Sequence, residues 1–428
     1  MNNKNEFTPK KERCIVCGVF MGTGKIDDSD FDSLEELKEL CIACGAEVVG
    51  ETYQSREAID PRTVIGKGKV EEIKNAVKEL EADIVVFDCE LSGSNTRNLE
   101  SELGARVLDR SRLILDIFAL RATTKEGKCQ VELAQLEYNL PRLSGLGTSL
   151  SRLGGGIGTR GPGETKLESD KRHIRERIQN LKRELREIDR TRETMRKKGI
   201  KSEIPGIALV GYTNAGKSSL LNALTNSEQF VKNMLFATLD PLSKKMTLSD
   251  GREAVITDTV GFIRKLPHHL IDAFRSTLEE AKYADIILHV VDSSNPQIDA
   301  QMEIVYDTLN HLGVKEKPVI TFFNKQDRFE GEKPIFKDLK ADYIVEGSVK
   351  TKQGLDKLVE TIEKILKERS IYIEHTFPYS DAGKLQLIRK YGQLISEEYV
   401  AEGIFVKANV PPEVYGQLGF KIDKGEEF

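Results

Sequence analysis

The sequence predicts an α/β fold, because β-type apolar runs and amphipathic helical runs alternate along most of its 428 residues. Residues 12–108 alternate in this way, and a second alternating region begins at residue 204. In that second region a glycine-rich loop, Gly211–Ser218, lies between a strand and a helix. Several polar motifs there directly follow predicted strands. Since open α/β sheets bind ligands beyond the carboxyl ends of their strands, these motifs predict a ligand site at one sheet edge.

The length and charge of the chain limit what it can be. A chain of 428 residues can form about three domains. Its net charge of −5 means that any surface for nucleic acid has to be local. The sequence has no apolar run of about 18 residues, and its N-terminus lacks the apolar core of a signal peptide. We therefore expect a cytoplasmic protein without a membrane span.

The first alternating region predicts a small parallel sheet with helices packed on it, assigned to a first domain at residues 1–110. Its predicted helices are Ser33–Cys44, Val70–Leu80 and Ser94–Leu103, and its predicted strands are Arg13–Phe20, Ala46–Gln54, Asp83–Asp88 and Arg106–Asp109. The segment Gly66-Lys67-Gly68-Lys69 precedes the second helix. It is either a plain turn or an anion-binding helix start, and the sequence leaves both open.

Four of the six cysteines form two pairs, Cys14-x-x-Cys17 and Cys41-x-x-Cys44. This spacing is compatible with a zinc site of four thiolates. Apolar packing is the alternative, since residues three apart on a strand point to opposite faces and cysteine is often a small buried hydrophobe.

Residues 111–203 predict a second domain, a helical arm. Residues 111–140 have apolar residues at helical spacing, and we expect Pro141 to end that helix. A longer helix follows at 165–198, where apolar residues from Ile174 to Met195 mostly recur at the alternating spacing of four and three that is typical of coiled coils. Two helices that flank one loop predict an antiparallel pair, with the longer helix about 50 Å long.

The loop between these helices, Pro141–Gly163, is rich in glycine. It carries Arg142, Arg152 and Arg160 but no acidic residue, and Lys166 follows it. A flexible linker is one explanation. A basic tip of small residues on a long arm also suits insertion into a crevice lined by phosphates, and this interpretation predicts RNA contacts at these four basic residues.

The glycine-rich loop matches the pattern G-x-x-x-x-G-K-[ST], which binds nucleotide phosphates. Its two glycines let backbone N–H groups curl around phosphate oxygens, and the start of the following helix adds a favourable partial positive charge. We expect Lys217 to reach the β- and γ-phosphates and the Ser218 hydroxyl to bind Mg²⁺. The predicted nucleotide contacts in this segment are Gly211, Tyr212, Thr213, Asn214, Ala215, Gly216, Lys217, Ser218 and Ser219.

A second motif, Asp258-Thr-Val-Gly261, follows a predicted strand about 40 residues later. The Asp258 carboxylate would orient Mg²⁺, and the Gly261 N–H would meet the γ-phosphate. Between the two motifs, Phe236 is a predicted nucleotide contact, and Thr238 is the candidate switch hydroxyl that binds Mg²⁺ only when the γ-phosphate is present. Thr247 is the alternative to Thr238. The predicted metal ligands are Ser218, Thr238 and Asp258.

A third motif, Asn324-Lys325-x-Asp327, predicts which base is bound. A carboxylate accepts two hydrogen bonds from the ring N–H and the exocyclic amine of guanine, and adenine lacks this pair of donors. Lys325 can cover the plane of the base. The residues expected to close over its far edge are Ser348, Val349 and Lys350. The three motifs in this order predict a P-loop GTPase domain at residues 204–368, which hydrolyses GTP to GDP and phosphate.

The residues expected to take part in hydrolysis are Asn214, Lys217, Thr238 and Gly261. Phe262 stands where many switch GTPases have a water-orienting Gln, and a phenyl ring cannot orient water by hydrogen bonding. Another group must therefore supply the missing contact. Asn214 either ligates a monovalent cation such as K⁺ beside the phosphates or merely braces the loop, and both remain open. Arg264 and Lys265 are either further candidate charges or, as the preferred interpretation, exposed residues of a switch segment.

Residues 369–428 predict a small α+β domain without a catalytic set. Its predicted elements are the strand Ile371–Phe377, the helix Asp381–Ser396, the strand Gly403–Val410 and a last helix after Pro412. The polar aromatic residues expected to pack rather than to bind are Tyr372, His375 and Tyr379. The predicted fold is thus α/β, with a P-loop GTPase domain preceded by a small α/β domain with a long antiparallel helical arm and followed by a small α+β domain.

These motifs together resemble those of the HflX GTPases, in the Obg–HflX group of translational GTPases. The resemblance rests on the phosphate loop, the N-K-x-D motif, and the segments Gly158–Glu168, Phe236–Asp240 and Asp258–Ile263. The Gly66–Lys69 turn and Val406–Leu418 also fit, so the resemblance extends over nearly the whole chain from Arg13. The paired cysteine motifs are a departure from the family pattern.

The resemblance implies a GTPase that binds the large ribosomal subunit and splits stalled or idle ribosomes, typically under stress. The basic loop of the arm would then contact ribosomal RNA near the peptidyl-transferase centre. A hydrophobic residue after D-x-x-G also belongs to the family pattern, so Phe262 is compatible with hydrolysis. Some family members also hydrolyse ATP through the N-terminal region, but this sequence has no clear adenine motif there. We expect a monomer that uses Mg²⁺ and, as an open alternative, K⁺.

Three other function classes are compatible with the residues alone. One is a GTPase of another RNA task, such as ribosome assembly or tRNA modification. A second is a phosphate-loop kinase of a small molecule, which would not need the N-K-x-D motif. A third is a zinc-binding RNA adaptor built on the four paired cysteines.

Overall fold

The computed structural model describes residues 11–22, 28–143, 166–197, 204–225, 235–236, 240–249, 251–265, 280–331 and 334–420. These residues form two compact units. The first unit is drawn from Met1–Ile188, Asn233–Leu239 and Arg264–Phe274, and the second from the remaining segments of the chain. Each unit is built around its own mainly parallel sheet.

The first unit begins with a strand–helix alternation, as the sequence predicts. Its elements are β1 (Arg13–Met21), α1 (Asp28–Ala43), β2 (Glu47–Arg56), α2 (Lys67–Glu79), β3 (Ile84–Phe87), α3 (Gly93–Leu103) and β4 (Arg106–Asp109). The four strands pair in parallel in the order β2-β1-β3-β4. β1 and β3 are central and almost wholly buried, which explains why their sequences are unbroken apolar runs.

Three helices follow this sheet: α4 (Arg110–Arg121), α5 (Lys125–Arg142) and α6 (Lys166–Lys197). The prediction of a single helix at 111–140 is therefore wrong. The chain leaves the helical conformation at Ala122, and the Thr124 side chain caps a new helix by accepting a hydrogen bond from the Gly127 N–H at 2.9 Å. Pro141 does not end α5, because it lies in the last turn, where its missing N–H removes a single hydrogen bond.

α5 and α6 pack side by side as the predicted antiparallel pair. Their shared apolar core is formed by Cys129, Leu133, Ile178 and Leu181. Ion pairs of 2.6 Å join Lys125 to Glu184 and Glu132 to Arg177, so residue numbers rise along one helix as they fall along the other. None of the described helices is long and apolar enough to cross a membrane.

The second unit contains a six-stranded sheet that positions the sequence motifs. Its elements are β5 (Gly206–Val210), α7 (Lys217–Thr225), β6 (Leu242–Thr247), β7 (Glu253–Asp258), α8 (Glu280–Tyr283), β8 (Ile286–Asp292), α9 (Ile298–His311), β9 (Val319–Asn324), β10 (Tyr343–Glu346) and α10 (Leu355–Glu368). The strand order is β10-β9-β8-β5-β7-β6, and only the β6–β7 pair of this described sheet is antiparallel. The motifs therefore follow the carboxyl ends of neighbouring parallel strands.

The last part of the second unit is a three-stranded antiparallel sheet. Its elements are β11 (Ile371–Phe377), α11 (Ala382–Tyr391), β12 (Gln393–Val400), β13 (Gly403–Val410) and α12 (Pro412–Gln417), with the strand order β11-β13-β12. The predicted helix Asp381–Ser396 is wrong in its second half. Gly392 takes an extended conformation that ends α11, and the following residues pair with β13 instead. Tyr372 is exposed, whereas His375 packs edge-on against Phe377.

Four of the six cysteines are buried in the first unit, and Cys44 and Cys89 are half-buried. Cys14 and Cys17 on β1 and Cys41 on α1 are fully buried, and all six cysteines are free thiols. Among the described residues, no cluster of three or more His, Cys, Asp or Glu side chains could hold a metal ion. The structure thus favours apolar packing over the zinc alternative, because Cys14, Cys17 and Cys41 lie among the buried apolar residues of this unit.

Candidate nucleotide-binding site

The glycine-rich loop connects β5 to α7, and both of its glycines are required by close packing. A Cβ atom on Gly211 would lie 2.2 Å from the Val290 carbonyl oxygen, and one on Gly216 would lie 2.3 Å from Nδ2 of Asn324. Both residues also have positive φ angles, of 153° and 103°. Only glycine combines these conformations with this approach of neighbouring backbone and side chain.

Lys217 lies at the start of α7 and is buried. Its Nζ atom donates to the carbonyl oxygens of Gly211 at 3.0 Å and Tyr212 at 2.8 Å. Burial lowers the pKa of Lys217 to about 8, against an opposing effect of Asp258. An ammonium group held inside the loop by two carbonyls is placed to meet phosphate oxygens that enter the same loop.

The two predicted metal ligands that the structure describes meet at the end of β7. The Ser218 hydroxyl donates to Oδ2 of Asp258 at 2.6 Å. A hydroxyl and a carboxylate oxygen at this separation fit the hard-oxygen preference of Mg²⁺. Thr238 lies outside the described residues, so its role stays a prediction. The alternative, Thr247, is wrong, because it pairs with Glu253 at the far end of β6 and β7 from Asp258.

Gly261 and Phe262 lie directly against the phosphate loop. The Thr213 N–H donates to the Phe262 carbonyl at 2.8 Å, and the Phe262 N–H donates to the Gly211 carbonyl at 3.1 Å. A Cβ atom on Gly261 would lie 2.9 Å from the Cα atom of Thr213 and 3.0 Å from Nζ of Lys217, so a larger residue does not fit unless the phosphate loop shifts. The Phe262 side chain is buried and anchors the segment, which leaves the Gly261 main chain beside the Lys217 ammonium.

The N-K-x-D motif is joined to the phosphate loop by side-chain hydrogen bonds. Asn324 Nδ2 donates to the Ala215 carbonyl at 2.8 Å, and Asn324 Oδ1 accepts from the Val349 N–H at 3.0 Å. The Ser348 hydroxyl donates to Oδ1 of Asp327 at 2.6 Å and lowers the pKa of that carboxyl. Asp327 is therefore ionised at neutral pH and able to accept hydrogen bonds from guanine.

Lys325 connects the N-K-x-D motif to the phosphate loop and to the end of β8. Its Nζ atom donates to the Asn214 carbonyl at 2.8 Å and to Oδ2 of Asp292 at 2.6 Å. Sequence reasoning places Asp292 at a strand end but gives it no role. Its neighbour Ser293 also donates from its N–H to the Asn324 carbonyl at 3.0 Å. The signal that could have found both residues is their position at the end of β8, beside the strand that carries Asn324.

Three predicted site residues have the positions that the loop geometry requires but no diagnostic contact. Asn214 is exposed and has a left-handed φ of 62°, Ser219 is half-buried in α7, and Lys350 lies 3.9 Å from Asp327. Phe236 belongs to the first unit, where its ring packs edge-on against Phe118 at 4.7 Å between centroids. Its contact with nucleotide stays a prediction.

The predicted RNA contact of Arg142 needs correction. Arg142 lies in the last turn of α5, and its guanidinium donates to the carbonyls of Leu91 at 2.8 Å and Tyr138 at 2.9 Å and to Asp109 at 3.2 Å. It also stacks 3.5 Å over the Tyr138 ring. These contacts occupy the guanidinium inside the first unit. Lys166 begins α6.

Two other basic candidates of the tip loop, Arg152 and Arg160, lie outside the described residues.

Lys265, a candidate catalytic charge, also needs correction, because its Nζ atom pairs with Oδ2 of Asp88 at 2.6 Å within the first unit. An ammonium with a buried carboxylate partner is not a freely available charge for catalysis.

Comparisons with known proteins agree with this geometry. Three family models match the chain: "GTP-binding GTPase N-terminal" at residues 31–119, "GTP-binding GTPase Middle Region" at 121–198 and "50S ribosome-binding GTPase" at 206–325. GTPase HflX of Lacrimispora saccharolytica is 54% identical over 99% of this chain and 99% of its own length. GTPase HflX of Caldanaerobacter subterraneus subsp. tengcongensis is 48% identical over 96% of this chain and 94% of its own length.

A more distant relative matches as well. GTPase HflX of Chlamydia pneumoniae is 41% identical, with 90% of this chain and 82% of the relative covered. The matches thus span the first unit, the helical arm and the nucleotide-binding sheet together. Full-length identity of this kind, with a phosphate loop, a D-x-x-G motif and an N-K-x-D motif meeting at one sheet edge, assigns the chain to the HflX family of GTPases.

Proposed function

We propose that this GTPase binds the large ribosomal subunit and splits stalled or idle ribosomes under stress, and that GTP and GDP switch it between a bound and a released state. The composition of the helical arm carries this proposal. α6 contains twelve Lys or Arg and seven Asp or Glu, so it is basic in a chain whose net charge is −5. Ribosomal RNA is the partner that suits such a local basic surface, because phosphate contacts dominate its binding.

The stiffness of the arm supports the same partner. The 32 residues of α6 extend about 48 Å at 1.5 Å per residue. α5 braces this helix through the shared apolar core and through ion pairs such as Lys182 with Glu137 at 2.7 Å. A braced arm can carry its basic tip, with Arg152, Arg160 and Lys166, into a crevice of ribosomal RNA. The matched family model that is described as a 50S ribosome-binding GTPase points to the same subunit.

The nucleotide site contains the groups that a GTP switch requires. Ser218 and Asp258 would hold Mg²⁺, with Thr238 added in the GTP state, and the ion would supply charge neutralisation at the phosphate oxygens. Lys217 would exchange its carbonyl acceptors for phosphate oxygens. The Gly261 N–H would donate to the γ-phosphate, so hydrolysis removes one acceptor and releases the segment that follows Asp258.

Hydrolysis in this site needs no side chain as general base, because positioning and charge neutralisation supply most of the catalysis. The buried Phe262 holds Gly261 beside the phosphate loop rather than orienting water. Asn214, exposed in the loop, is the candidate ligand for K⁺, and bracing of the loop is the alternative. Asp327 selects guanine, so we expect only weak hydrolysis of ATP. A cytoplasmic monomer fits a factor that acts on ribosomes.

The first experiment measures GTP hydrolysis with and without purified large ribosomal subunits, in potassium and in sodium buffer, with ATP as the control substrate. We expect strong stimulation by the large subunit with GTP. A requirement for potassium would assign the cation role to Asn214, and equal rates in both salts would assign it the bracing role. Absence of stimulation would contradict a ribosomal partner, and a preference for ATP would contradict the role of Asp327.

The second experiment follows the splitting of intact ribosomes by sedimentation. The form bound to a GTP analogue should release free subunits, and the GDP form should not. Arg152→Glu with Arg160→Glu should abolish splitting, whereas Arg183→Glu with Arg186→Glu, a matched double charge reversal at exposed positions of α6, should reduce it less. Tight binding to the large subunit without splitting would favour the alternative role in ribosome assembly.

A further inference from the structure

The end of β8 contains a carboxylate that none of the three nucleotide motifs includes. Asp292 is the last residue of that strand, and its Oδ2 atom accepts a hydrogen bond from Lys325 Nζ at 2.6 Å. Both side chains are largely buried, with 14% of Asp292 and 16% of Lys325 exposed. The contact is therefore shielded from solvent, where a hydrogen-bonded ion pair is stronger than on the surface.

The two oxygens of Asp292 have separate partners, which fixes the orientation of the carboxylate. Oδ1 accepts from the Ser294 N–H at 3.1 Å and from the Ser294 hydroxyl at 2.6 Å. Oδ2 is then directed at Lys325. The same turn binds the base-recognition motif a second time, because the Ser293 N–H donates to the Asn324 carbonyl. The end of β8 thus contacts two consecutive residues of the N-K-x-D motif.

Lys325 needs such a partner because its side chain has four rotatable bonds and loses much conformational freedom when it is fixed. Its backbone also has a left-handed φ of 66°, which sets the direction in which the side chain leaves the loop. With Asp292 on one side and the Asn214 carbonyl at 2.8 Å on the other, the ammonium group is held across the phosphate loop. Anchoring the ammonium group at both sides restricts the positions open to the methylene groups that would cover a base.

We propose that Asp292 is a positioning residue for nucleotide binding, which holds Lys325 against the Asn214 carbonyl and so couples the base-recognition motif to the phosphate loop. Simple electrostatics makes the opposite prediction. A carboxylate near a phosphate site repels the anionic nucleotide, so its neutralisation would strengthen binding. The sign of the effect therefore separates positioning from general repulsion.

The test is equilibrium binding of GDP and of a GTP analogue to the full chain carrying Asp292→Asn, with steady-state GTP hydrolysis measured in parallel. The amide keeps the size of the side chain but removes its charge. Positioning predicts affinities that are about tenfold weaker for both nucleotides, as expected for the loss of a charged hydrogen bond. It also predicts a KM that rises by a similar factor while kcat stays unchanged. Unchanged or tighter binding would overturn the proposal.

A double-mutant cycle with Lys325→Met separates positioning from damage to the fold. If Asp292 acts through Lys325, then Asp292→Asn should have little further effect on GDP affinity in the Lys325→Met chain. An undiminished effect there would overturn the proposal. Glu253→Gln is the matched control, because it removes an exposed carboxylate that pairs with Lys245 at 2.8 Å in the same unit. The experiment uses nucleotide alone, so its outcome is independent of the ribosomal proposal.

Discussion

The two parallel sheets of the molecule both have carboxylates at the carboxyl ends of their strands, but they surround them differently. In the first unit, Asp88 directly follows β3 and is fully buried. It accepts hydrogen bonds from Ser33 and Arg110 at 2.7 Å each and from Lys265 at 2.6 Å. Each of these donors is a side chain of the same unit, so the carboxylate already has its complement of partners.

The second unit leaves polar groups with partners that a ligand can replace. Lys217 donates hydrogen bonds to two main-chain carbonyls, and the Ser218 hydroxyl donates to Asp258 at 2.6 Å. The hydroxyl oxygen of Thr213 is buried and has no hydrogen-bond partner within the part of the chain that the structure describes. A buried polar atom in this state costs about 1–3 kcal/mol, which a bound phosphate could recover.

This difference distinguishes two kinds of sheet edge. At a structural edge the strand-end side chains stabilise the fold, and at a binding edge they contact a ligand. A strand-end carboxylate indicates a ligand where its partners are exchangeable, as at Asp258, or where its cationic partner belongs to a nucleotide motif, as Lys325 does beside Asp292. Where side-chain cations surround it, as around Asp88, the same residue type indicates a buried ion-pair network that holds the fold together. Substitutions in the two sheets test this distinction, and the largest effect is expected at Asp88.

Asp88→Ala should produce the largest effect, in the first unit. The substitution removes one of the carboxylates that pair with Arg110, whose side chain is only 3% exposed. Breaking a buried ion pair in this way lowers the free energy of unfolding by about 3–5 kcal/mol. Hydrogen exchange of the backbone amides at residues 84–109 measures this locally, which is necessary because a chain of two units need not unfold in one step.

Glu81→Ala is the matched control for this prediction. Glu81 is exposed and lies 3.6 Å from Arg13, and exposed pairs contribute about 0–1 kcal/mol. Equal protection of residues 84–109 in the two variants would show that the network around Asp88 does not stabilise the first unit. The conclusion that the first sheet uses its strand-end carboxylate for stability would then be wrong.

Lys217→Ala should produce the next largest effect, on catalysis rather than on folding. The loss of a preorganised cation in a phosphate site lowers kcat/KM by about 10²–10³. Stability should not fall, because the substitution removes a buried ammonium whose burial is unfavourable. GTP hydrolysis and thermal unfolding measure the two quantities. Lys245→Ala, which removes an exposed lysine of the same sheet, should leave both nearly unchanged; a similar loss there would contradict the assignment.

The nucleotide motifs could be predicted from sequence because their chemistry constrains the backbone itself. Gly211 and Gly216 are required where other chain atoms approach within 2.3 Å of a Cβ position. Asn324 and Ser218 follow the ends of buried strands or open a helix, and such positions can be read from apolar patterns. The first sheet and the α5–α6 pair could be predicted for the same reason.

The errors involve contacts between residues far apart in the chain. Arg142 has basic, glycine-rich neighbours in sequence, yet its partners include Asp109, 33 residues earlier. The partner on which the proposed role of Asp292 depends is Lys325, 33 residues later. The first half of β12 is predicted as helix from its local sequence, but its pairing with β13 outweighs that local propensity. A pattern within a short window cannot contain the partner that decides these cases.

Arg142→Met tests whether Arg142 stabilises the first unit or binds RNA. If Arg142 belongs to the ion-pair network of the first unit, its loss should cost about 1.5–3 kcal/mol, the value for hydrogen bonds to charged groups. Under the proposed function, binding to ribosomal RNA and its salt dependence should stay unchanged. Hydrogen exchange at residues 84–143 measures the local stability, and filter binding measures the affinity for RNA. Arg152→Met should show the reverse, with weaker RNA binding and no loss of protection, and identical behaviour of both variants would contradict the correction.

The pKa of Lys217 predicts the smallest effect, which tests whether the partners in the nucleotide site are exchangeable. Burial lowers this pKa to about 8 in the free protein. The folded chain therefore binds fewer protons than the unfolded chain between the two pKa values, and stability rises with pH there. A bound phosphate favours the ammonium and raises the pKa, so nucleotide binding takes up a proton and affinity falls as pH rises. Half a unit above the pKa of the free protein, GDP affinity should be about fourfold weaker than one unit below it.

Calorimetry in buffers of different ionisation enthalpy detects this proton uptake directly, at pH values below the ionisation of the guanine ring. Lys217→Arg is the control, because a guanidinium stays protonated across the whole range and its nucleotide affinity, although lower, should not vary with pH. A flat profile in the natural chain would mean that the ammonium is fully charged before nucleotide arrives. The hydrogen bonds from Lys217 to the Gly211 and Tyr212 carbonyls would then stabilise the ammonium as fully as Arg110 stabilises the Asp88 carboxylate. The proposed difference between exchangeable partners in the second sheet and fixed partners in the first would be contradicted.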